Sequence, residues 1–272
     1  DGLDLRDVPW RRGRGYSVEG LTNVMDGNEV WARRVIQLVD RHIDDLSSMR
    51  ALGFCVSVDH ARFMARMFNE ANVPAVAVWG DSSAHERASA LEKLRSGEVN
   101  VVFSVDLFNE GVDVPSVDTL LLLRPTESPT LFLQQLGRGL RKAEGKTACT
   151  VLDFIGNHRK EFRFDRRLRG FFGGARRELI RQVEGGFPFL PAGCHMELDR
   201  VSRETVLHSI KNALPSRWPE KVEELRRLAA TVGRPSLKMY LDETGLELED
   251  VYTGQKCWSD LQEDAGLPME PT

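Results

Sequence analysis

The chain has 272 residues, of which 41% are hydrophobic and 29% charged, and a formal net charge of −4. These are ordinary values for one large or two modest soluble domains, and the longest aliphatic run, residues 120–123, is far too short to span a bilayer. The cysteines Cys55, Cys149, Cys194 and Cys257 are scattered without a C-x-x-C pair, which argues against a zinc site or a disulfide framework and for reduced, cytoplasmic thiols.

Residues 1–27 are rich in Gly and Arg, lack periodicity, and read as an irregular lead-in from an upstream lobe. A helix over 29–49 follows from Val30, Ile36, Val39, Ile43 and Leu46 at helical intervals. Residues 53–58 make a short apolar strand. Asp59 then N-caps a helix through Ala71, with Phe63, Met67 and Phe68 as its buried stripe. Residues 74–79 form a second strand, and Ser83-Ala84-His85-Glu86 is a capping box opening a helix to Arg95. Strands are predicted again at 99–104, 117–123 and 148–154. Between the last two, residues 129–141 are helical, with Ser128 as N-cap and Pro129 at the first position. Continuous apolar strands alternating with amphipathic helices predict an α/β fold over 28–165, a parallel sheet covered on both faces. Ligands of such sheets bind beyond the carboxyl ends of the strands. From residue 166 the alternation stops, and helices near 203–213, 219–232, 236–244 and 257–265 predict a smaller, mainly helical accessory domain over 166–272.

Two segments carry chemistry. In Gln134-Gln135-Leu136-Gly137-Arg138-Gly139-Leu140-Arg141, Arg138 and Arg141 stand three residues apart, so on a helix they share a face and can grip one anion. A guanidinium does not deprotonate and fits phosphate oxygens in a fork. Earlier, an apolar strand ending at Ser104 runs into Asp106 and a polar loop holding Gly111 and Asp113. Gly111 permits a tight backbone, and Asp113 can accept from a ribose hydroxyl or orient an arginine. Read alone, the first segment also suits a solvated helix and the second an ordinary turn.

Together, in this order, the two segments resemble motifs VI and V of superfamily 2 helicases and translocases. Phe54-Cys55-Val56-Ser57 is similar to motif IV, and Gly80 and Arg87 stand where that family has a Gly and an Arg. The resemblance covers about residues 51–155 and implies the second RecA-like lobe of the motor, closest to bacterial DEAD/DEAH-type helicases with an extra C-terminal domain. It implies Arg141 as arginine finger, Arg138 as a second γ-phosphate arginine, and Gln134 or Gln135 as a phosphate or water sensor. Gly111 and Asp113 would line the nucleotide cleft. Ser104, Ser57 and Asp106 would lie along the DNA backbone, and Gln134-Gln135 favours the DNA-acting branch. The cofactor implied is ATP with Mg²⁺, held mainly by a first RecA-like lobe of the same polypeptide.

That first lobe is not in these 272 residues. Gly145-Lys146-Thr147 imitates the end of a P-loop, but Leu140 stands where the pattern needs Gly, and the segment leads into a strand. No Walker B acid pair follows a strand. The fragment alone is therefore expected to hydrolyse no ATP. Two alternatives keep the same lobe: the motor subunit of a restriction or defence nuclease, and a non-hydrolysing nucleic-acid-binding scaffold.

Charge is unevenly spread. Residues 159–181 hold nine Lys/Arg against three Asp/Glu, whereas 242–264 hold eight acids against Lys256 alone. Arg163 and Arg166 in the first stretch are candidate DNA contacts. The tail from 236 resembles a loose helix-turn-helix with Arg226, Arg227, Arg234 and Lys238 nearby. Its acidity favours a helical cap built on Trp218, Leu225, Leu228, Tyr240, Tyr252 and Trp258.

Overall fold

The computed structural model describes residues 3–11, 15–106, 115–140, 146–159, 162–172, 176–188, 195–212, 215 and 217–268, with the backbone alone at 166, 169, 171, 176, 177 and 212. Two compact units emerge, residues 1–159 and 160–272.

In the first unit, strands β3 (Ala51–Phe54), β5 (Val101–Ser104) and β6 (Thr119–Leu122) are buried throughout. Apart from Ser104 and Thr119 their residues are non-polar on both faces, as a sheet sandwiched between helices requires. With β4 (Ala75–Val78) and β7 (Thr150–Asp153) they form one sheet in the order β4-β5-β3-β6-β7, and every pairing is parallel. The chain fills the β4 side first and crosses to the other side between β5 and β6. The order therefore reverses around β3, where open α/β sheets bind ligands. This is the expected RecA-like architecture.

The covering helices are α3 (Val58–Glu70), α4 (Ala84–Ser96) and α5 (Pro129–Gly139). Ser57, not Asp59, caps α3: its hydroxyl accepts from the His60 amide at 3.3 Å, and Asp59 falls in the first turn, where an acid favours the helix dipole. Phe63, Met67 and Phe68 are buried as predicted, and Phe68 meets Phe103 of β5 edge-on at 5.0 Å. That ring lies over Gly53 of β3, where an added Cβ would come 2.3 Å from it. The capping box Ser83–Glu86 opens α4. Ser128 caps α5, with Pro129 in its first turn.

The lead-in is more ordered than its composition suggests. β1 (Trp10–Arg11) pairs antiparallel with β2 (Gly15–Tyr16), and α1 (Val18–Met25) follows, capped by Ser17. Gly20, which breaks the helical pattern of α1, lies so near Pro9 that a Cβ would sit 2.8 Å from its ring. Leu3, Leu5, Val8, Leu21 and Met25 are all buried. Helix α2 (Glu29–His42) stops seven positions short of the predicted 49, where Asp44 and Asp45 would oppose the negative end of the dipole and Asp45 instead accepts from Ser47.

The second unit is helical: α6 (Phe164–Phe172), α7 (Arg176–Glu184), α8 (Arg200–Asn212), α9 (Trp218–Val232), α10 (Leu237–Thr244), α11 (Leu248–Val251) and α12 (Trp258–Asp264). Val222, Leu225, Tyr240, Leu246, Val251, Leu261 and Ala265 form a core among α9 to α12, with Trp218, Leu228 and Trp258 packed on it. Tyr252 of the expected core is instead exposed.

Candidate functional site

Direction of travel decides which residues can meet. Since β6 and β7 are parallel, α5 between them runs antiparallel to the strands. Its first turn lies at the carboxyl edge of the sheet and its last at the amino edge, roughly 16 Å away for 11 residues at 1.5 Å each. The last turn is pinned there by Gly139, where a Cβ would come 2.2 Å from Cys149 Sγ and 3.0 Å from Leu120. Arg138 thus belongs to the amino edge.

On α5, Gln134 and Arg138 are both half-buried and stand four residues apart, hence on one face. Gln135 points elsewhere: it is 3% exposed, on the face that also buries Phe132, Leu136 and Gly139. Interior packing sets its side chain apart from the Gln134–Arg138 face. The described helix ends at Gly139, and Arg141, Gly111 and Asp113 lie outside the described residues.

The carboxyl edge holds the other group. Ser57 caps α3 there. Ser104, expected to touch the DNA backbone, is 1% exposed, and its hydroxyl donates to the Gly53 carbonyl at 3.4 Å. Asp106 is exposed at φ +53°. Its carboxylate accepts from Arg124 Nη1 in an ion pair, so the anion expected beside a DNA backbone is instead bound to a cation of its own chain. Arg124 follows β6 directly, a position the sequence reading passed over. At the end of β4, Arg62 lies over the Trp79 ring, 4.4 Å from its centroid.

Lys146, met in the sequence as a false P-loop residue, sits at the amino edge. Its Nζ donates to the Gly139 carbonyl and, at 3.3 Å, to the Pro115 carbonyl. A helix ends in carbonyls without intrahelical donors, so an ammonium there is favourable. His60 was also missed. It is fully buried, its Nδ1 accepts from the Val56 amide at 3.4 Å, and its Nε2 has no hydrogen-bond partner. Desolvation lowers its pKa to about 4. Burial also raises the Cys55 thiol well above its usual range and that of Cys149 to about 11.

In the second unit, Arg163 is not a surface cation. Its Nε and Nη2 pair with the two Asp165 oxygens at 2.7 and 2.6 Å, and both residues are buried. Gly245, which ends α10 at φ +73°, leaves a Cβ only 2.1 Å from Arg163 Nη2. Arg167 is buried too, over the Phe164 ring. The side chain of Arg166 lies outside the described residues. Arg226 donates to the carbonyls of Asp264 and Ala265, and Arg227 pairs with Glu223. These helix-turn-helix candidates serve their own domain.

A five-stranded parallel sheet of this order, with these segments on it, defines a RecA-like lobe. Residues 33–143 match the helicase conserved C-terminal domain family. Over those residues the chain is similar to the C-terminal lobe of superfamily 2 helicases. Among its relatives is the putative ATP-dependent helicase IRC3 of Saccharomyces cerevisiae, 32% identical over 154 residues, which are 56% of this chain and 22% of that protein. UvrABC system protein B of Fervidobacterium nodosum is 34% identical over 102 residues, 36% of this chain and 15% of that protein. A fragment of a putative HsdR subunit of a type I restriction enzyme from Vibrio vulnificus is a solved neighbour, with TM-score 0.42, 24% identity, and coverage of 50% of this chain and 28% of its own. The chain thus spans about a fifth of the length of the curated relatives it matches. Among the described residues no helix is long and apolar enough to cross a membrane.

Proposed function

We propose that this lobe is the second motor lobe of an ATP-dependent DNA helicase or translocase, acting with a first RecA-like lobe of the same polypeptide in the cytoplasm. The observation that carries the reading is the half-buried Arg138 in the last turn of α5, with Gln134 one turn behind on the same face, within a helicase C-terminal lobe. A guanidinium held on a rigid helix suits the charge that builds on a transferring phosphoryl group. Arg141, three residues on, would share that face if the turn continued, and is the proposed finger; Arg138 is the second phosphate arginine. Gln134 senses the phosphate. Gly111 and Asp113 are the proposed nucleotide-lining residues. Ser57 and the carboxyl edge face the DNA.

In this reading ATP and Mg²⁺ are mostly held by the first lobe, and the arginines complete the site from this one.

The test is DNA-stimulated ATP hydrolysis by the full-length polypeptide. Arg141→Ala is expected to lower turnover by about 10³-fold or more while ATP affinity changes little, because a finger acts on the transition state. An unchanged rate refutes the finger, and measurable ATP hydrolysis by the isolated 272 residues refutes the division of labour. Greater stimulation by RNA than by DNA would overturn the choice of nucleic acid.

A further inference from the structure

Helix α2 presents one side to solvent along most of its length. Val30, Arg34, Gln37 and Arg41 follow one another at intervals of four, three and four residues, which places them in one stripe along the helix. All four are exposed, and Val30 at 82% shows that nothing among the described residues overlies that end. Trp31, Ala32, Val35 and Val39 are buried on the side packed against the lobe, and Asn28 caps the first turn by accepting from the Trp31 amide at 3.0 Å. The two guanidiniums thus project from a packed, capped helix, about 10 Å apart along its axis.

Elsewhere the chain neutralises such groups locally. Arg33, Arg66, Arg95, Arg181, Arg200 and Arg227 are exposed on helices, and each pairs with a Glu three or four residues away. Around Arg34 those positions hold Val30, Trp31, Gln37 and Leu38, and on the helical side of Arg41 they hold Gln37 and Leu38. Among the described residues neither Arg34 nor Arg41 has a hydrogen-bond or ion-pair partner. Arg41 in the last turn favours the helix dipole, but Arg34 in mid-helix gains nothing of that kind. A stripe of one sign, with carboxylates withheld from it, fits a polyanion.

The stripe stands apart from the proposed nucleotide arginines. The chain moves one way across the sheet from β3 to β4, and the other way from β4 to β5 and from β6 to β7. Right-handed crossovers then put α3 on one face, and α4 and α5 on the other. Helix α2 packs beside α3, so Arg34 and Arg41 lie across the sheet from Arg138. The first turn of α2 reaches the carboxyl edge, where Trp31 meets Phe154 edge-on at 5.8 Å and where Ser57 caps α3. We propose that Arg34 and Arg41 form an accessory contact with the phosphate backbone of duplex DNA, continuous with the carboxyl edge and separate from the nucleotide arginines. Phosphates of one strand advance about 3.4 Å per base along a duplex, so the two guanidiniums span roughly three steps. The Gln37 amide between them can donate to a phosphate as well. The fixed spacing of a duplex suits cations on a rigid helix, whereas a single strand would have to be ordered first. The inference rests on the function proposed above and adds a site to it.

The test measures binding of the full-length polypeptide to a duplex oligonucleotide over a range of salt. Each phosphate neutralised contributes about 0.9 to the slope of log affinity against log salt. Arg34→Gln and Arg41→Gln are each expected to lower that slope by about one and the double variant by about two, with affinity near 0.1 M salt about tenfold weaker or more. Arg34→Lys/Arg41→Lys, which keeps both charges, should retain the wild-type slope. Arg33→Gln, beside the stripe and paired with Glu29, should leave it unchanged. ATP turnover at saturating DNA should stay within about twofold throughout, because only binding is lost. An unchanged slope in the double variant overturns the inference and leaves the stripe to an acidic protein surface. An equal loss in Arg33→Gln overturns it too, since total charge would then account for the effect. A wild type that binds no duplex removes the function and the inference together, whereas a binding wild type with indifferent variants removes only the inference.

Discussion

His60 shows how one buried ring sets a pH dependence. Its imidazole loses water on folding, and its pKa drops from 6.5 to about 4, so the native state favours the neutral form. Stability from this group is complete above pH 6.5, where both states are neutral. It declines as the pH falls toward 4, because the unfolded chain takes up a proton that the native chain refuses. At 1.36 kcal/mol per unit the loss is on the order of 3 kcal/mol. Urea unfolding between pH 7 and 4 should show that decline in the wild type and a flatter profile in His60→Asn; equal slopes would reject it. Nothing in the spacing of the sequence marks His60, since burial depends on what α3 packs against. That Gln134 and Arg138 share a helix face follows from their spacing alone, four residues apart. Gln135 was not separable from Gln134 until the helix was placed on its sheet.

Among the elements, α5 is held by the absence of a side chain. Replacing a helical Gly by Ala ordinarily favours the helix by up to about 1 kcal/mol. At Gly139 the new Cβ would meet Cys149 Sγ at 2.2 Å and Leu120 at 3.0 and 3.1 Å, and overpacking of that kind costs about 1–3 kcal/mol. The clash wins. Gly139→Ala is expected to lower the unfolding midpoint and to displace the last turn of α5, carrying Arg138 with it. A Gly139→Ala/Cys149→Ala pair should regain part of the loss, and a stabilised single variant would contradict the packing. The strands and α3 to α5 were readable because continuous apolar runs, caps and breakers agreed with one another. Helix α1 was hidden by Gly20, which is needed for packing on Pro9 rather than for a break. Helix α6 was hidden by its charge, since a buried arginine such as Arg167 has the same letter as a solvated one.

At the scale of the molecule, the basic run at 159–181 reads differently once Arg163 and Arg167 are seen to be interior. Removing Arg163 leaves Asp165 buried without its fork, and a broken buried pair typically costs 3–5 kcal/mol. Arg163→Met is therefore expected to destabilise the protein strongly. Under folding conditions it should leave the slope of log affinity for DNA against log salt unchanged, because that slope counts cations at phosphates. A slope reduced by about one would return Arg163 to the DNA surface. Strand alternation ceases in the sequence near 165, and the compact units are 1–159 and 160–272, with the Arg163–Asp165 pair beside Gly245 inside the second.

The first residues of the lobe meet its last. Asp4 bridges to Asn157 in parallel fashion, the Leu5 amide donating to the Asn157 carbonyl and the Asn157 amide to the Leu3 carbonyl, and the Tyr16 hydroxyl joins His158 and the Arg159 amide across more than 140 positions. Contacts of such long sequence separation form slowly, since the whole intervening chain must be ordered to close them. During synthesis the opening segment must wait, with Leu3, Leu5 and Val8 uncovered, until the end of β7 has left the ribosome. The lobe is therefore a late-closing unit, and a chain cut short before residue 157 should expose that apolar opening and depend on chaperones.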